Sequence, residues 1–127
     1  MTMITDEIKQ IIKKQGNLYV ATASKDGIPN VSVKGSTQVI DDITLAFACI
    51  WSDKTVKNLE DNPKIAIALA DPKAGKSIQL KGEAVIERSG SLFDVMSEAV
   101  SKMKLPKPKC IAKMTVTEVY QWPPAKV

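Results

Sequence analysis

The stretch Val31-Ser-Val-Lys-Gly-Ser-Thr37 alternates polar Ser32, Lys34 and Ser36 with Val31, Val33 and Gly35. Successive side chains of a β-strand point to opposite faces, so this spacing sets an ammonium between two hydroxyls on one face. Such a group can cradle a phosphate, and Gly35 lets a ligand approach the backbone closely. A half-exposed strand with one solvated face shows the same alternation. A second stretch, Cys49-Ile-Trp-Ser-Asp-Lys-Thr-Val56, reads as a strand end followed by a helix start. Helix N-termini present free N–H groups and the positive end of the dipole, and so attract anions. Lys54 adds a full charge there and Thr55 a hydroxyl. Ordinary capping by Ser52 or Asp53 accounts for the same residues, and the GxxxxGK phosphate loop is absent. In Ser77-Ile-Gln-Leu-Lys-Gly-Glu83, Gln79 carries a donor and an acceptor that could meet the edge of a planar ring, or simply face solvent from a strand.

Other chemistries are closed to this chain. It contains no histidine, which removes the commonest general acid/base, any Ser-His-Asp triad and any His-ligated zinc. Cys49 and Cys110 form no CxxC pair or metal-ligand spacing and read as buried reduced thiols. All but one of the 18 basic residues are lysines, Arg88 being the exception. Bidentate recognition of phosphate or guanine favours arginine, so the net charge of +4 suits a point-charge surface or an anionic small ligand better. Six aromatic residues are too few for a base-stacking platform, and the Lys102–Lys113 cluster is the one feature that would suit nucleic acid. Chemistry at neutral pH would therefore have to come from a cofactor.

The elements that must position these residues are legible in outline. A length of 127 residues with 44% hydrophobic and 25% charged residues predicts one globular domain, 1–127. Ile4, Ile8, Ile11 and Ile12 recur at helical spacing, with Thr5 and Asp6 as capping candidates and Gly16 as the stop. Strands are predicted over 18–24, 30–39, 43–49, 64–70, 77–88 and 110–122, the first two joined by an Asp26-Gly27 turn. Gly82 marks a bend in the fifth. A short helix should run from Ser52 or Asp53 to Asp61, ended by Asn62-Pro63. A longer one is expected from the stripe Leu92, Val95, Met96, Ala99, Val100 and Met103. Mostly consecutive strands with interspersed helices point to a small mainly-β barrel. The N-terminus is charged from its sixth residue and no apolar run approaches the ~20 residues of a membrane span; a soluble, cytoplasmic protein is expected.

In order along the chain, Val20-Ala-Thr-Ala-Ser24, Asp26-Gly-Ile-Pro-Asn30, Val31-Ser-Val-Lys-Gly-Ser36, Asp53-Lys-Thr-Val-Lys-Asn-Leu59, Asn62-Pro-Lys-Ile-Ala-Ile67, Gln79-Leu-Lys-Gly-Glu-Ala84 and Val119-Tyr-Gln-Trp122 resemble the pyridoxamine 5′-phosphate oxidase-like, FMN-binding split-barrel family. The resemblance covers nearly the whole chain and rests on the ordered series. It implies a six-stranded antiparallel split barrel, and a homodimer with FMN at the interface. It also implies flavin or phosphate contacts from Ser32, Val33, Lys34, Gly35 and Ser36, from Cys49, Ile50, Trp51, Ser52, Lys54 and Thr55, and from Gln79, with Trp122 supplied by the partner subunit.

The activity implied is that of a flavin-dependent oxidoreductase or electron carrier exchanging electrons with a small molecule. Alternatives are a non-catalytic flavin-binding module, or the same barrel holding deazaflavin or haem; the absence of histidine counts against haem. The family's oxidases carry a basic C-terminal substrate segment with Arg and His, and this chain has neither there, which argues against pyridoxal-phosphate synthesis.

Overall fold

The computed structural model describes residues 2–124. It opens with helix α1, Asp6–Gln15. The Thr5 hydroxyl accepts from the Ile8 N–H at 3.3 Å, and the Gly16 N–H, at φ 77°, donates to the Ile12 carbonyl. Acidic Asp6 and Glu7 in the first turn and Lys13 and Lys14 in the last match the helix dipole. The strands that follow are β1 (Leu18–Ala23), β2 (Pro29–Lys34), β3 (Gln38–Val39) and β4 (Thr44–Cys49). Helix α2 (Asp53–Asp61) leads to β5 (Lys64–Asp71), a single 3-10 turn and β6 (Lys76–Glu87). Helix α3 (Ser91–Lys102) and β7 (Cys110–Trp122) complete the chain. Among the described residues no helix is long and apolar enough to cross a membrane.

All the strands join one antiparallel sheet in the order β2-β1-β5-β6-β7-β4-β3. The single strand expected over 30–39 is two strands, so the sheet has seven rather than six. β2 and β3 lie at its opposite edges, and residues 35–37 carry the chain from one to the other. The break falls where Gly35 passes Asn17 so closely that a Cβ would stand 2.8 Å from its Oδ1. Ser36 then accepts from the Ala48 N–H of β4 at 2.9 Å, already on the far edge. The bend expected at Gly82 is present: the β6–β7 register shifts between Lys81 and Gly82.

Leu18, Val20, Leu45, Phe47, Ile67 and Leu80 fill the inside of the curled sheet, and Ile4, Ile8, Ile11 and Ile12 pack into the same core. Helix α3 lies outside it, against Ala46 of β4 and Ile111 of β7. Its contact is narrower than the expected stripe: Phe93, Met96 and Val100 are buried, whereas Val95 and Met103 are exposed. A helix laid on one outer ladder buries the i, i+3, i+7 edge only.

A Cβ at Gly82 would lie 1.9 Å from the Thr115 carbonyl oxygen, a backbone atom that cannot step aside without breaking the ladder. Gly82→Ala should cost about 3 kcal/mol or more, or prevent folding, whereas Lys81→Ala on the exposed neighbour should change stability by less than about 0.5 kcal/mol. Urea unfolding of both checks this. A Gly82→Ala midpoint near wild type would mean the bulge is not held by this contact.

Candidate functional site

The polar face of β2 is fastened rung by rung to β4 and α2. The hydroxyls of Ser32 and Thr55 lie 3.2 Å apart, Lys34 donates to Ser52 Oγ, and Ser36 Oγ accepts from the Ala48 N–H. Alongside, Asn58 Nδ2 donates to Thr22 Oγ1 at 3.1 Å. Thr55 and Asn58 are buried with Leu59, so the inward face of α2 is largely polar. Ser52 takes the N-cap position, but its side chain makes no cap hydrogen bond, because its hydroxyl serves Lys34. Side-chain capping of α2 by Ser52, one reading of the sequence, is thereby replaced by a tertiary contact.

Lys34 is the unusual member. It is buried, its ammonium lies 5.8 Å from the centre of the Phe47 ring, and among the described residues it has no carboxylate partner. Loss of solvent pushes its pKa below the usual lysine value, an effect that the thiols of Cys49 and Cys110 partly offset. It lines a cleft of about 210 Å³ together with Val33, Gly35, Ser36, Ala48, Ile50, Trp51 and Ser52, and with Met103 and Leu105 from the segment after α3. Trp51 stands at the rim, 79% exposed. Sites for drug-sized ligands span roughly 300–1,000 Å³, so this cleft holds only part of one.

Seven of the residues singled out in the sequence thus share the cleft: Val33, Lys34, Gly35, Ser36, Ile50, Trp51 and Ser52. Ser32 and Thr55 form the rung beside it. Lys54 is exposed in the first turn of α2, outside the cleft lining, and among the described residues it has no ion-pair partner. Cys49 turns instead into the core, opposite Cys110. Gln79 and Trp122 lie elsewhere, on the outer face of the sheet. There Val33, Tyr19, Ala68, Gln79 and Tyr120 are successive cross-strand partners over five strands. Tyr19, Val31, Val33, Tyr120 and Trp122 are each 43–67% exposed, and the last two stack with ring centres 6.2 Å apart. Sequence reasoning missed Thr22, Asn58, Met103 and Leu105. The spacing of Thr55, Asn58 and Leu59 on one helical face was the available signal for the second; the others depend on non-local packing.

A sheet curled until its two edges are joined by three residues, with a polar cleft at the join, defines a split barrel. A sequence profile described as pyridoxamine 5′-phosphate oxidase matches residues 4–123. The chain belongs to the pyridoxamine 5′-phosphate oxidase-like, FMN-binding split-barrel family. It is 33% identical over 121 residues to the protein MJ0282 of Methanocaldococcus jannaschii, covering 92% of this chain and 79% of that one. The crystal structure of HupZ from group A Streptococcus superposes with a TM-score of 0.85 at 28% identity, covering 94% of each chain. An FMN-binding protein from Syntrophomonas wolfei shares the fold at 19% identity, with a TM-score of 0.76 over 89% of this chain and 82% of that one.

The electrostatics of Lys34 give a signed pH dependence. Its folded pKa is lowered from 10.5, so between the lowered value and 10.5 the unfolded chain binds more protons. Stability therefore rises with pH through that window. Lys34→Met should remove this rise and stabilise the ligand-free protein near neutrality by about 1 kcal/mol. Urea midpoints of both proteins from neutral pH to pH 10 test it; parallel curves would mean that the ammonium is solvated.

Proposed function

We propose that the protein is a redox flavoprotein that binds FMN in the cleft between β2 and the β4–α2 junction, completed by a second copy of the chain. The observation that carries this reading is Lys34, a buried ammonium without a carboxylate partner among the described residues, at the wall of a cleft too small for a whole ligand. An anionic, partly planar ligand fits that wall. Lys34 and Ser52 supply positive charge and a hydroxyl. Lys54, Thr55 and the first N–H groups of α2 supply an anion-binding end. β2 is a sheet edge, so half of its backbone groups have no ladder partner and can hydrogen-bond a ring along positions 33–35. The backbone N–H groups near 49–51, where Ile50 and Trp51 line the same cleft, would add to these.

The second copy is supported by the apolar face that adjoins the cleft. Val33 belongs both to the cleft and to the apolar row that runs to Tyr120. Alanines at 21, 66 and 68 keep the middle of that face flat. A partner seated on it would cover Tyr19, Val31 and Val33, and would bring the partner's Gln79 and Trp122 to the ligand.

Bound FMN would supply hydride or electron exchange. The chain would hold the phosphate, shield the ring with Trp51, Met103 and Leu105, and set the polarity around it. Among the described residues Lys34 is the one ionisable residue lining the cleft, so no carboxylic acid or imidazole is assigned a proton-transfer role. The absence of histidine, with Arg88 as the single arginine, sets pyridoxal-phosphate synthesis outside the proposal.

Titration with FMN and riboflavin tests the assignment. FMN should bind at least tenfold more tightly, since each charge-assisted hydrogen bond contributes roughly 1.5–3 kcal/mol. Lys54→Ala should weaken FMN by about ten- to a hundredfold and leave riboflavin unchanged. Equal losses for both ligands would remove the phosphate from this helix end. Light scattering of the flavin-loaded protein should give twice the chain mass, and a monomer that still binds FMN tightly would overturn the shared site.

A further inference from the structure

Cys49 ends β4 and Cys110 begins β7, and the two are direct partners in the antiparallel ladder. Directly opposed residues in such a ladder have Cα atoms about 4.5–5.5 Å apart, within the roughly 4.4–6.8 Å that disulfides span. Both are free thiols, each 1% exposed, and both turn into the barrel core. They are not sealed in. A cleft of about 340 Å³ is lined by both cysteines, with Arg88, Lys109, Asp53 and Glu60 on its walls. That is many times the ~30 Å³ share of one water molecule, so a small oxidant has room to reach them.

The surroundings differentiate the two sulfurs. Their mutual interaction lowers the pKa of Cys110, against its desolvation, and raises that of Cys49. Arg88 and Lys34 add positive charge toward both, and Glu60 opposes them at Cys110. Lys109 is paired with Asp53 at 3.2 Å, and Arg88 lies 3.4 Å from Glu60. A thiolate beside a thiol and a guanidinium is the arrangement in which a cysteine becomes nucleophilic.

We propose that Cys49 and Cys110 form a redox-active dithiol that hydrogen peroxide converts into a disulfide joining β4 to β7. The Cys110 thiolate attacks one peroxide oxygen. The O–O bond breaks, and the departing hydroxide takes a proton to become water. The resulting Cys110 sulfenic acid is attacked by the Cys49 sulfur. The S–S bond forms as the S–O bond breaks, and the second oxygen leaves as water with the Cys49 proton. Two thiols are oxidised by two electrons and one peroxide is reduced to two waters. The proposal does not depend on a bound flavin.

Mass spectrometry of the folded protein after peroxide treatment at neutral pH tests it. The expected product has lost two hydrogen atoms, yields a Cys49–Cys110 cross-linked peptide, and returns to the starting mass with dithiothreitol. The rate should rise with pH as the Cys110 thiol, whose pKa lies below the ordinary cysteine value, ionises. In Cys49→Ser, Cys110 should stop at a sulfenic acid that dimedone traps; in Cys110→Ser, dimedone labelling of the remaining thiol should fall at least tenfold. Oxygen addition without a cross-link, intact thiols under conditions that oxidise the urea-unfolded chain, or equal labelling of the two variants would each overturn the proposal.

Discussion

The three residues between β2 and β3 constrain everything else in this fold. Seven strands laid flat at about 4.8 Å spacing would put the outer edges about 29 Å apart. From Lys34 to Gln38 the chain takes four steps and reaches about 14 Å at most. The sheet has to curl until its edges nearly meet. The bulge at Lys81/Gly82 places extra bend in the longest ladder, where β6 meets β7 and a side chain at Gly82 could not fit. Gly35 serves the same closure at the join, where the backbone slips past Asn17.

Closure of this kind brings two sheet edges, each with unpaired backbone groups, to one place. The molecule covers part of that exposure with side-chain rungs: Ser32 to Thr55, Lys34 to Ser52, and Ser36 to the Ala48 N–H. Two of the rungs are hydroxyl contacts of ordinary cost. The third buries a cation that has no countercharge among the described residues, which lowers stability relative to an apolar residue of the same shape. A hydrocarbon would fill the position more cheaply, and the proposed anionic ligand would supply the lysine with a countercharge.

Local signals in the sequence carried far. Thr5, Gly16 and the isoleucine spacing located α1, Asp26-Gly27 the first hairpin, and Gly82 the bulge, because each depends on neighbours a few residues away. The alternation of Ser32, Lys34 and Ser36 placed Lys34 and Ser36 on one wall of the cleft and Ser32 beside it for the same reason. The break at residues 35–37 was not legible: alternation runs straight through it, and only the far edge of the sheet shows that the strand must change partners. Nor was the burial of Phe93 in place of Val95, which depends on which ladder α3 lies against. The pairing of Cys49 with Cys110 spans 61 positions and is a matter of register alone.

Val33 links the two surfaces on which the functional proposal rests. Its strand borders the cleft on one side and the apolar outer face on the other, so in the proposed dimer a ligand and a second chain contact the same short segment. Two ligands that order the same element each lower the cost of the other, and linkage makes the effect equal in both directions. Flavin affinity and dimer stability would then be one quantity read in two ways. An edge strand with a polar inner face and an apolar outer face is the simplest element able to couple them. In the proposed dimer the outer face would be shielded from solvent only with the partner seated, and the inner face neutralised only with the anion bound.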